Sequence, residues 1–174
     1  MIPKAQENIS EYILFLWQLE DLLRAFQYDL ESVEEKYIRH AFKKPEEQQE
    51  VMSMLYILLE EMKKEEEAVT HAKSTKGSML LLEKVHAYLR DEEEDKMYLA
   101  LVSACDEVVA DFLKNKADEK SMPFTEICIN IMYGILTLRL RKMPITPQTQ
   151  EASDKVKECL KYLSKTFAKM NKEG

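Results

Sequence analysis

Glycine and proline are scarce in this chain, three of the first and five of the second in 174 residues, where an average sequence of that length holds about 12 and about 9. Turn-rich β architectures use both residues at most reversals, so the shortage disfavours them. The glycines, Gly77, Gly134 and Gly174, stand far apart. A P-loop or a GxGxxG dinucleotide turn needs them clustered, so the kinase, P-loop nucleotidase and Rossmann readings fall away. GxSxG, HExxH and CxxC are missing as well, which removes the common signatures of serine hydrolases, zinc proteases and zinc ribbons.

Positive charge is in deficit. Twenty-five Lys and Arg face 32 Asp and Glu, a formal charge of -7, and no basic stripe with interleaved aromatics offsets it, so nucleic acid is not an expected partner. Long apolar runs are missing too. The densest, Tyr12 to Trp17, is far short of the roughly 20 residues of a membrane span, and the opening MIPKAQENISEY has neither an apolar h-region nor a small-residue cleavage site. Neither secretion nor membrane insertion is expected. Three cysteines, Cys105, Cys128 and Cys159, are odd in number, widely spaced and set among apolar residues at helical spacing; they read as buried thiols of a cytoplasmic protein.

What is present is 45% hydrophobic and 33% charged residues, distributed with a helical period. The expectation is an all-α, single-domain bundle of about seven helices, with an ordered core from about residue 8 to about residue 170 and no linker or internal repeat. The first helix runs from a cap at Asn8, with Glu11 as capping-box partner, to about Tyr28. A short helix follows through Leu30, Val33, Tyr37 and Ala41 and breaks at Pro45. Val51, Leu55, Leu58, Met62 and Val69 stripe a third helix from Glu46 to about Ala72. The stretch AKSTKGS reads as the loop before a short fourth helix, with Ser78 as its cap. The acidic run Asp91 to Asp95 reads as a solvated helix start. A fifth helix carries Met97 to Phe112 and ends near KNKADEKS; Ser121 and Pro123 restart the chain as cap and early-turn proline. Thr146 with Pro147 opens the last helix.

Wound at about 100° per residue, the first helix gathers Ile9, Tyr12, Ile13, Leu16, Trp17, Leu19, Leu23 and Phe26 on one arc. Glu20 and Arg24 fall inside it. The segment Phe124 to Lys142 carries two apolar faces, with Arg139 bordering one, and Gly134 suggests a close helix crossing. These two helices are expected to be largely buried and central. A charge in an apolar arc needs a partner, so Glu20 is expected to accept from Arg24 and Arg139, with Trp17 and Tyr133 alongside. That group is either a structural network fixing helix register or a pocket for a small anion. Glu83 and His86 form one Glu-x-x-His, the spacing of di-iron bundles. Neither His40 nor His71 supplies a second copy, so no metal and no cofactor is expected.

The segments YILFLWQLEDLLRAF and MYGILTLRLRKMPITPQT resemble a family of small helical bacterial proteins found mainly in the Bacteroides group and catalogued as a domain of unknown function. The resemblance spans about Asn8 to Lys169. It places a Trp-x-x-Glu-Asp-x-x-Arg pattern on Trp17, Glu20, Asp21 and Arg24, and Tyr-Gly with Leu-Arg-Leu on Tyr133, Gly134, Leu138, Arg139 and Leu140. A Lys-Gly-His of the family departs here to Lys76, Gly77 and Ser78. The resemblance implies a fold and a host group but no reaction. Ten methionines on helical apolar faces favour a non-enzymatic interaction or scaffold protein that associates with itself; the alternative is a small anionic-ligand-binding or enzymatic bundle built on the Glu/Arg group.

Overall fold

The structure is a computed structural model that describes residues 2–64, 71–114 and 122–173. Among the described residues it is a single all-helical bundle of seven helices with no strand. α1 is Ile9–Ala25. α2, residues 30–41, starts as an α turn, Leu30–Val33, passes through a π turn, Glu34–Ile38, and closes at Arg39–Ala41. α3 is Pro45–Lys64, and α4 is Lys73–Ala87 extended by a π turn, Tyr88–Glu92. α5, Lys96–Lys114, α6, Phe124–Leu140, and α7, Pro147–Glu173, complete the chain.

Caps define most of the starts. Asn8 Oδ1 accepts the Glu11 N–H at 3.2 Å, Asp29 Oδ1 accepts from Glu31 and Ser32, and Thr146 Oγ1 accepts from Thr149 at 3.1 Å. Each satisfies donors that a first helical turn leaves orphaned. Within the acidic run, Asp95 opens α5 by accepting the Tyr98 N–H. Pro123 lies one position before the first helical residue of α6. Ser121, Val69 and the expected end of α5 at KNKADEKS lie outside the described residues. With so few glycines, the chain turns on left-handed residues that carry side chains: Gln27 and Tyr28 after α1, Glu94 before α5 and Lys142 after α6.

α1 is central and divides the core. Its first half, Ile9, Ile13 and Trp17, packs with Leu82, Val85 and Leu89 of α4 and with buried residues of α5, α6 and α7. Its second half, Leu16, Leu19 and Leu23, packs with Val33 and Ile38 of α2 and with Val51, Leu55 and Leu58 of α3. Each fully buried aliphatic side chain stabilises the fold by about 1.5–3 kcal/mol. Cys105, Cys128 and Cys159 are free and buried.

The structure corrects three expectations. AKSTKGS is not a loop: α4 begins at Lys73 and Ser78 lies inside it, its hydroxyl donating to the Ser74 carbonyl. α4 packs against α1, α3, α6 and α7 and so is central alongside α1 and α6. α6 is enclosed only over its first half. Thr125, Ile127, Cys128 and Ile129 are buried, but beyond Ile135 the helix emerges and Leu140 is 69% exposed. Gly134 marks no close crossing, because it is exposed and a Cβ built on it meets nothing within 4 Å.

Candidate functional site

Glu20 is completely buried where α1 crosses the start of α4. Its Oε1 accepts the Ala72 N–H at 2.9 Å and the Thr75 hydroxyl at 2.7 Å. Its Oε2 lies 2.6 Å from Nδ1 of His71 and 3.7 Å from the Arg24 guanidinium. Ala72 sits at the cap position of α4 and has no side chain able to cap it. Glu20 supplies that cap from another helix, and the positive end of the α4 dipole favours its charge. Glu61 of α3 does likewise two residues further in, accepting both the Ser74 N–H at 2.8 Å and its hydroxyl at 2.7 Å. Two carboxylates, one from α1 and one from α3, thus terminate a helix that lacks its own cap.

Around this carboxylate lie the other residues singled out in α1. The Trp17 ring stacks on His71, centroids 4.3 Å apart at 15°, and meets the edge of Tyr133 at 5.3 Å. Among the described residues the Trp17 indole nitrogen is the one buried side-chain polar atom without a hydrogen-bond partner. The Tyr133 hydroxyl donates to Asp21 Oδ2 at 2.5 Å, and burial together with that carboxylate holds the phenol above its ordinary range. Arg24, besides its contact with Glu20, donates to Asp21 Oδ1 at 2.9 Å.

Arg139 does not join them. It is exposed and donates to the Gln150 side-chain oxygen at 3.2 Å. Tyr133 is the α6 residue that faces Asp21, and six residues further on the helix has rotated by about 240°, which turns Arg139 toward α7. The structure brings together Glu20, Arg24, Trp17 and Tyr133 and adds His71, Thr75 and Asp21.

Glu83 and His86 share one face of α4, and each is engaged by protein. Glu83 accepts the Thr125 hydroxyl at 2.5 Å. His86 is buried and stacked on Phe124; Arg90 donates to its Nε2 at 3.3 Å, which leaves Nδ1–H to donate to the Tyr98 oxygen at 2.5 Å. Burial holds this imidazole below its ordinary value of 6.5; Glu83 and Asp91 oppose the shift and Arg90 adds to it. Among the described residues no three His, Cys, Asp or Glu converge on a metal position.

Three grooves flank the exposed half of α6, and two of them also border α1. One, about 520 Å³, opens between α1, α2 and α6 and is lined by Phe15, Tyr37, Phe42, Tyr133 and Leu140, with Asp21 and Arg141 on its rim. The other, about 500 Å³, opens between α1, α6 and α7, with Leu14, Met132 and Leu136 on its floor and Arg139 and Lys157 among its edges.

The sequence profile of a family described as a domain of unknown function, DUF4924, matches residues 2–174. The chain belongs to that family. In this DUF4924 chain the matched length takes in every feature described above, the Glu20 cluster and the grooves included. Curated proteins and solved structures yield no match. No helix of the described residues is long and apolar enough to cross a membrane.

Proposed function

We propose that the chain is a non-enzymatic interaction protein of the bacterial cytoplasm, and that it pairs with a second copy of itself through the groove between α1, α2 and α6. The supporting observation is α6. Its sequence is apolar on opposite faces, the pattern of a helix enclosed on all sides, yet its C-terminal end is left open: Leu140 is 69% exposed and Met143, just beyond the helix, 51%. Beside them lies a groove walled by Phe15, Tyr37, Phe42 and Tyr133, and aromatic side chains of this kind anchor protein interfaces. Its rim carries one acidic and one basic group, Asp21 and Arg141, so a two-fold axis sets Arg141 of each copy against Asp21 of the other. The Glu20 cluster supports a structural role, since its carboxylate oxygens end on donors from α1 and the start of α4. The three unpaired buried thiols fit a reducing compartment, and the resemblance of the α1 and α6 segments points to a host of the Bacteroides group.

Leu140→Glu tests the reading. The residue is exposed, so the variant keeps the fold, while a charge at the centre of the shared face dissociates the pair. A wild-type chain and a variant that cross-link to the same extent would contradict it.

A further inference from the structure

The second groove carries a different chemistry. Its volume, about 500 Å³, falls in the range of small-molecule sites, and its floor is apolar: Ile135 and Leu160 are buried, while Leu14, Met132 and Leu136 are half-buried. Charge along its edges is uneven. Among the described residues Lys161 is neutralised by Glu158 at 3.2 Å, whereas Arg139 donates to the uncharged Gln150 side chain and meets no carboxylate, and Lys157 forms no ion pair. Arg139 and Lys157 thus set two cations without a carboxylate partner beside one apolar floor, in a chain of net charge -7. Gln150, which holds Arg139, and Lys157 are seven residues apart on α7, two turns or about 10 Å, so the two long side chains can close on one headgroup from either side. Glu11 on the α1 edge is the single opposing charge left unpaired among the groove residues.

We propose that this groove binds a free long-chain carboxylate, its alkyl chain on the Leu14, Met132 and Leu136 floor and its headgroup between Arg139 and Lys157. Such a ligand satisfies the two features that a purely apolar or purely ionic one leaves unmatched: it covers the half-buried apolar floor and gives both cations a charge-assisted partner. The site does not depend on self-association, because Leu140 lines the other groove.

Calorimetric titration with laurate below its micelle concentration, with dodecanol and dodecyltrimethylammonium as controls, tests the site. The expected result is saturable binding of one laurate per chain, weaker binding of dodecanol and none of the cation. Arg139→Gln and Lys157→Gln, both surface changes that leave unfolding temperature unaltered, each weaken laurate about tenfold, the worth of one charge-assisted hydrogen bond. Glu11→Gln tightens it, and Leu140→Glu leaves it unchanged. Binding indifferent to both cation variants, or tighter for the alkylammonium than for laurate, would overturn the assignment. So would retention on phosphatidylglycerol vesicles without binding of monomeric laurate, which points to a membrane headgroup instead.

Discussion

Glu20 takes a full negative charge into an apolar region, and its stability there depends on donors that the first helix does not own. The Ala72 N–H, the Thr75 hydroxyl and His71 all converge on it from the start of α4, so truncating it strands buried donors. Glu20→Ala is expected to cost about 3 kcal/mol or more in urea unfolding, and Glu20→Gln distinctly less because it keeps an acceptor. Arg24→Gln is expected to cost under about 1 kcal/mol, since the guanidinium is part-exposed and 3.7 Å from the carboxylate. His86 acts through pH. Its folded value lies below 6.5, so between that value and 6.5 the unfolded chain binds the proton that the folded chain refuses, and stability falls as pH drops through this window. A His86→Asn variant, compared at each pH with wild type, loses that component of the slope; parallel profiles would show that His86 does not supply it. Winding α1 was enough to find Glu20, Arg24 and Trp17. His71 and Thr75 escaped it because they lie 51 and 55 residues away in sequence, and no local period reports such a pairing. Arg139 was misplaced because bordering an apolar face does not say which neighbour that border meets.

At the scale of the element, α4 shows why composition misled. Lys73 to Ser78 holds Ser, Thr and Gly, residues that favour turns and caps, and no side chain at position 72 can cap a helix there. Two carboxylates from α1 and α3 override this preference. By contrast, the starts of α1 and α7 were legible because their caps are local, within three residues of the donors they satisfy. Glycine placement gives a paired prediction. Gly77 and Gly134 lie in helices with open space where a Cβ would stand, so each change to Ala is expected to raise stability by about 0.5–1 kcal/mol. Lys142 ends α6 at φ 55, with its N–H on the Arg139 carbonyl and the Met143 N–H on that of Leu138. That is the position where glycine is preferred, and Lys142→Gly is expected to gain about 0.5–1 kcal/mol. Denaturant midpoints at unchanged m-value measure all three; a loss at Gly134 would mean that the helix is covered there in solution.

For the whole molecule, hydrophobic period and scarcity of glycine made the all-helical bundle readable, whereas the extent of burial was not. A helix apolar on opposite faces signals cover without saying whether the same chain provides it. α6 packs against α1, α4, α5 and α7, is most buried along its first half, and is bordered by grooves along its second. We therefore assign the missing cover on the α2 side to another copy of the chain. Sedimentation equilibrium of the wild-type chain over a range of concentrations tests this most directly. The predicted result is a mass rising from that of one chain toward that of two, with Leu140→Glu remaining at one; a single-chain mass at every concentration for the wild type would contradict it.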